Sequence, residues 1–147
     1  MASEDARPEV FVDSNVVFSG IYSPLGAAAR ILALHSLDRI RLVISRQVAE
    51  ELVRNLRQKA PEAVPLLLGF FASKLPRLAQ DPYEDEVDRL EGAGVNEKDA
   101  PIVAAAVGAG VQYFVTGDRR LRNEIDQIPR PFRVVTPRQL IEELTDA

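Results

Sequence analysis

The sequence predicts an α/β domain of three layers, α/β/α, around a mainly parallel central sheet of four to five strands. Three observations predict it. Short β-branched and aromatic runs alternate along the chain with longer stretches of helical periodicity. Two of those runs, EVFVD and QYFVTGD, end in an aspartate, as strands do when they lead into a ligand crevice. Prolines and glycines sit at the boundaries between runs and stretches, where helices start and stop.

Taken in order, residues 1–8 read as a polar, flexible tail, and residues 9–147 as a single domain. EVFVD, 9–13, is a buried strand. Ser14, Asn15 and a second apolar run follow it without an assigned element. LGAAARILALHSLD, 25–38, is helical, with apolar positions recurring at three and four. RLVIS, 41–45, is the second strand, and Ser45 caps the helix RQVAEELVRNLRQK, which Pro61 ends. Residues 61–75 form an apolar helix with proline near its start, and 76–82 hold a short strand. PYEDEVDRLEGAG is an acidic helix closed by glycines. NEKDAPIVAAAVGAG is an alanine-rich helix ending at Gly108 or Gly110. VQYFVTGD is a strand, RRLRNEIDQI a helix, FRVVT a strand, and PRQLIEELTD a final helix with proline at its first position. There is no internal repeat, no low-complexity segment and no linker for a second domain.

Composition narrows the function classes. With 46% hydrophobic and 27% charged residues in 147, the chain reads as ordinary globular protein. No apolar run approaches the roughly 18 residues of a membrane span. The acidic N-terminus lacks an apolar leader core, so no membrane partner and a cytoplasmic location are expected. Absent cysteine excludes disulfides and thiolate metal sites. A net charge of −4 argues against a general nucleic-acid coat protein, but leaves room for an enzyme that meets phosphates locally.

The acids carry the chemistry. Asp13 and Asp118 end strands, and Glu50 or Glu51 and Asp99 fall at helix beginnings beyond the sheet. Carboxylates gathered at one crevice repel one another, and a divalent cation offsets that cost. Oxygen donors, no cysteine and a single histidine favour Mg²⁺ or Mn²⁺ over Zn²⁺. Each acid also has a plainer reading. Asp13 with Ser14 and Asn15 starts an Asx-turn, Asp118 caps the following helix, and Asp99 caps a helix with Pro101 in its first turn. Glu50 and Glu51 flank the apolar sector of their helix by nearly equal angles, so periodicity does not choose between them. Arg119, Arg120 and Arg122 beside Asp118, and Arg54, Arg57 and Lys59 after Glu51, fit a phosphate track or a solvated face with pairs such as Arg120–Glu124. His35 reads as a packing or surface residue. Phe70, Phe71 and the Leu66–Leu68 run read as core or as an interface.

Four segments in this order, VFVDSNVVFSGI, SRQVAEEL, NEKDAPIVAAAVGAG and YFVTGDRRL, resemble the PIN-domain ribonucleases, in the prokaryotic toxin–antitoxin (VapC-like) branch. The resemblance spans roughly residues 10–140. It implies a PIN-like fold and metal-assisted hydrolysis of RNA phosphodiester bonds. Its catalytic and metal-binding acids would be Asp13, Glu51, Asp99 and Asp118; Glu51 is chosen because it precedes leucine. It further implies Ser14, Asn15 and Thr116 as residues next to the acids, an antitoxin partner and a homodimer; Arg119, beside Asp118, is the candidate substrate contact from the basic run. One departure stands out. Relatives commonly carry a second aspartate two positions after the one in T-G-D, and this chain has Arg120 there. That departure keeps a second expectation open, a PIN-fold module that binds RNA or protein without cleaving. Receiver domains and haloacid-dehalogenase-type phosphatases fit less well: the first strand carries one aspartate, Asn15 stands where D-x-D needs its second, and no strand-end lysine follows TGD.

Overall fold

The first strand explains the architecture. Val10, Phe11 and Val12 are all fully buried, which a strand needs only when both faces of its sheet are covered. The computed structural model describes residues 7–145. Its elements are β1 (Glu9–Val12), α1 (Ser14–Tyr22), α2 (Ala27–Ser36), β2 (Arg41–Ile44), α3 (Arg46–Lys59), a 3₁₀ turn (Pro61–Ala63), α4 (Val64–Ser73), β3 (Arg77–Leu78), α5 (Glu84–Gly92), α6 (Ala100–Ala109), β4 (Tyr113–Val115), α7 (Arg119–Asp126), β5 (Arg133–Val135) and α8 (Pro137–Thr145). Of the expected tail, residues 1–6 lie outside the described residues; Arg7 pairs with Asp38 at 2.8 Å, and the Pro8 carbonyl accepts from the Arg41 N–H.

The strands form one sheet in the order β3-β2-β1-β4-β5, every pair parallel. β1 is central: Phe11 lies opposite Val43 on one side and Phe114 on the other. The Phe11 and Phe114 rings stack at 5.4 Å, and Phe132 extends the stack from beyond Phe114 at 5.6 Å. The chain builds outward through β2 and β3, then returns across β1 to β4 and β5. Right-handed crossovers place the helices of the two directions on opposite faces, giving the three layers. The reversal lies between β1 and β4, so a crevice opens beyond the carboxyl ends of those two strands. Asp13 and Asp118 are carried there.

The unassigned run after Asp13 is a helix, α1, and Asp13 itself starts it: φ −70°, ψ 156°, with its side chain accepting from the Ser14 N–H. Gly20 lets α1 approach α2, since a Cβ there would lie 2.5 Å from Leu32 Cδ1. Ser45 caps α3 by accepting from the Val48 N–H, as expected. On α4 the apolar run divides: Leu67 is buried, Phe70 and Phe71 pack against the core, and Leu66 and Leu68 are exposed. Among the described residues no single helix is long and apolar enough to cross a membrane.

The opposite end of the sheet is closed by side chains. Glu9, Arg41 and Arg77 are the first residues of β1, β2 and β3. Arg77 grips Glu9 through two bonds of 2.9 and 3.0 Å and donates to the Ala109 carbonyl, while Arg41 stands 3.6 Å from Glu9. Beside them His35 is buried, a connector rather than a base. Its Nδ1 accepts from the Leu42 N–H at 3.1 Å, which leaves Nε2–H to donate to the Lys74 carbonyl at 3.1 Å. Burial lowers its pKa below the usual 6.5, so the folded state resists a proton that the unfolded chain accepts. Stability is therefore lost as pH falls below about 6.5. His35→Leu should cost about 1–3 kcal/mol in urea unfolding at pH 7.5, because the Leu42 N–H loses its acceptor. The variant should also lack the wild-type loss between pH 6.5 and 5; an unchanged slope would remove His35 from this role.

Candidate active site

Asp13 leaves the central strand and is only 9% exposed. Its backbone N–H donates to the Val115 carbonyl, continuing the β1–β4 ladder by one bond. Its Oδ1 accepts from the Ser14 N–H at 2.8 Å and its Oδ2 from the Thr116 hydroxyl at 3.0 Å. Thr116 is fully buried, and its Oγ1 also accepts from the Asp118 N–H at 3.1 Å. One threonine at the end of β4 thus fixes both strand-end acids. Burial pushes the Asp13 carboxyl above its usual range, Thr116 and Ser14 pull it back, and the nearby Glu51 and Asp99 charges push it up further.

The other acids arrive from separate elements. Glu51 faces inward from α3, where the Ser14 hydroxyl donates to it at 3.2 Å. Glu50 is exposed and faces a different depression, with Arg46 and Arg57. Packing thus decides what helical spacing left open. Asp99 holds the N-cap position of α6 but makes no capping bond; its carboxylate accepts from Arg120 Nη2 at 2.9 Å. Asp118 does cap: its Oδ1 accepts from the Leu121 N–H at 3.1 Å, while Oδ2 lies 3.8 Å from Arg120 Nη2. Capping and facing the crevice are compatible for Asp118.

These four carboxylates line one open cavity of about 400 Å³ with Ser14, Asn15, Arg54, Asn55, Lys98 and Arg120. Asn15 stands exposed at its edge. The expected cluster of three arginines beside Asp118 is dispersed by the fold. Arg119 is exposed and opens onto a neighbouring depression with Asn123 and Gln127. Arg122 donates to the Thr116 carbonyl at 3.2 Å. Arg120 alone turns into the cavity. From the second basic run, Arg54 lines the cavity and Arg57 does not. Asn55 and Lys98 were not singled out by the sequence. Asn55 is four residues after Glu51, so it follows once Glu51 is known to face inward, and Lys98 enters as the neighbour of Asp99. Arg54 and Lys98 form no ion pair among the described residues, so their charges are open to an anion.

The donor set fits a hard divalent cation, being all oxygen and strongly anionic. A buried carboxylate of raised pKa, with two more acids nearby, is a place where a cation gains much. As the side chains stand, no group of three carboxylate or imidazole side chains among the described residues converges closely enough to hold one ion. Asp99 and Asp118 are drawn to Arg120, while Asp13 and Glu51 are bridged by Ser14.

A parallel sheet with carboxylates gathered past its reversal point defines a class of domain that presents acids to a ligand at the strand ends. The family model for the PIN domain matches residues 9–120, and the chain belongs to that family. PIN domains are generally nucleases that use divalent metals. Solved structures that share the fold include the following two. One is PAE2754 from Pyrobaculum aerophilum, 22% identical over 95% of this chain and 97% of that one, with a TM-score of 0.66. The other is VapBC2 from Rickettsia felis, solved bound to a DNA fragment from their promoter, 18% identical over 87% of this chain and 98% of that one, also at 0.66. No curated protein gives a significant match.

Asp13→Asn should raise the melting temperature of metal-free protein at pH 7, because a buried charge among like charges is removed. The sign follows from the raised pKa. The folded state takes up a proton more readily than the unfolded chain, so the wild-type deficit exists above the usual 3.8 and shrinks as pH falls towards it. Melts at pH 7 and pH 4 on both proteins check this; equal gains at the two pH values would contradict it.

Proposed function

We propose that this chain is a metal-dependent endoribonuclease hydrolysing RNA phosphodiester bonds, and the toxin of a toxin–antitoxin pair. The observation that carries the reading is the meeting of Asp13, Glu51, Asp99 and Asp118, from four separate parts of the chain, around one cavity that also holds Arg54 and Lys98, cations that form no ion pair among the described residues. These acids would hold Mg²⁺ or Mn²⁺. Such an ion, when bound, lowers the pKa of a water and neutralises charge developing on a phosphate.

The remaining roles belong to the chain itself. Ser14 and Thr116 orient Asp13 and Glu51 through their hydroxyls and leave further lone pairs on both acids. Asp13, held from two sides, has little freedom to turn away. Arg54 and Lys98 receive backbone phosphates at the rim, and Asn15 and Asn55 offer neutral donors to sugar or phosphate oxygens. RNA as the substrate class rests on the motif resemblance, and an antitoxin partner on that resemblance together with the fold shared with VapBC2. Exposed Leu66 and Leu68 supply an apolar face for a homodimer. One observation favours the non-cleaving module: Arg120 already neutralises Asp99.

Cleavage assays with Mn²⁺ on a structured RNA separate the two. Asp13→Asn and Glu51→Gln should each lower the rate by at least about a hundredfold, a loss of roughly 2.7 kcal/mol of transition-state stabilisation. Glu50→Gln should leave the rate within about twofold, a difference of roughly 0.4 kcal/mol. Wild type without Mn²⁺-dependent cleavage would establish the module reading, and equal effects of the two glutamates would remove Glu51 from the site. Arg54→Ala should weaken RNA binding and reduce its salt slope by about one, as the loss of one phosphate contact requires.

A further inference from the structure

We propose that Arg120 is a tethered cation, which competes with a divalent ion for Asp99 and Asp118 and so sets how tightly this cavity binds metal. The inference rests on the metal-dependent reading above and concerns its regulation.

The arrangement is built from several parts. Arg120 Nη2 lies 2.9 Å from Asp99 Oδ2 and 3.8 Å from Asp118 Oδ2. Its Nη1 donates to Glu124 Oε2 at 2.7 Å, one helical turn further along α7. Glu124 is fixed in turn, because its Oε1 accepts from the Asn96 N–H at 3.0 Å. Asn96 belongs to the turn that precedes α6, and its carbonyl accepts from the N–H groups of Asp99 and Ala100. The loop carrying Asp99 and the helix carrying Arg120 are therefore joined through Glu124, which aims the guanidinium at Asp99. A solvated helix pair explains the Arg120–Glu124 contact alone. It does not explain why the other nitrogen crosses to an acid 21 residues away in sequence.

The cavity is consequently unequal. On one side Asp99 and Asp118 share a fixed positive charge. On the other, Asp13 and Glu51 meet, among the described residues, only hydroxyl and amide donors: Ser14 N–H, Ser14 Oγ and Thr116 Oγ1. An entering cation gains Asp13 and Glu51 freely, but gains Asp99 and Asp118 only by displacing a guanidinium. Arg120 is half exposed, with 52% of its side chain accessible, so it has room to swing out towards solvent or a phosphate. Like charges separated by about 4 Å repel appreciably even in water, and a divalent ion doubles the effect, so removing Arg120 should tighten binding about tenfold.

The test measures Mn²⁺ affinity by the electron paramagnetic resonance signal of the free ion, together with the melting temperature of metal-free protein. Wild type, Arg120→Gln, Arg120→Lys and Arg119→Gln are compared. The proposal expects Arg120→Gln to bind Mn²⁺ about tenfold tighter and to melt lower without metal, since Asp99 and Asp118 lose their partner. Arg120→Lys keeps the charge but not the two-pronged grip, and should fall between. Arg119→Gln carries the same charge change from outside the cavity and should behave as wild type; an equal gain there would overturn the proposal in favour of overall charge. Unchanged affinity in Arg120→Gln, with wild type binding Mn²⁺ and cleaving RNA, would overturn the proposal and leave the nuclease reading intact. No Mn²⁺ binding by wild type or Arg120→Gln would overturn both.

Discussion

The site hangs on the way one buried carboxylate is held. Asp13 sits at the end of the most buried strand, where an unsolvated charge is costly, and two donors make it tolerable: the first N–H of α1 and the hydroxyl of Thr116. Those donors, at Ser14 and Thr116, lie far apart in the sequence. The bond to Thr116 ties β1 to β4 across the reversal of the sheet, and Thr116 then positions Asp118 through its N–H. Ser14, placed by the cap that Asp13 forms, reaches Glu51 on α3. The geometry of three acids therefore follows from one side chain's need for partners. Only Asp99 is fixed by a different route, through Arg120 and the α6 turn.

The same end of the molecule shows how charge is distributed without raising the total. The protein is acidic overall, and its cavity is not relieved by a general basic surface. Instead, individual cations are assigned separately: Arg120 to acids within the cavity, Arg122 to a carbonyl, and Arg54 and Lys98 to the open rim. Within one turn of α7, Arg119, Arg120 and Arg122 likewise have three different surroundings, because successive residues on a helix point about 100° apart.

Much of this was legible in the sequence. The strands at 9–12, 41–44, 113–115 and 133–135 announce themselves by β-branched and aromatic runs, and Ser45, Pro101 and Pro137 mark helix starts correctly. The helix α1 was hidden because Val16, Val17 and Phe18 continue the strand-like composition of EVFV, and its only start signal is Asp13, an acid with a second use. Sheet order was not legible, since periodicity tells which face of a strand is buried but not which strand lies beside it. The choice of Glu51 over Glu50 came from the motif resemblance; packing of α3 against α1 supplies the physical reason. Arg120 appeared as a missing acid or a surface pair. That it is both a pair with Glu124 and a partner of Asp99 depends on a contact between α7 and a loop, which no local pattern contains.

The Asp13–Thr116 bond also has a bearing on synthesis. It joins residues 103 apart, so closing it waits until most of the chain exists. A chain emerging from the ribosome amino end first can pair β1 with β2 early, but β1 keeps one naked edge until β4 arrives. During that interval Asp13 lacks one of its two donors, and Asp118 has not yet been made. An incomplete chain therefore carries an open strand edge and no assembled cavity. A cell translating this protein meets the cavity only after the residues up to Asp118 and Arg120 have left the ribosome.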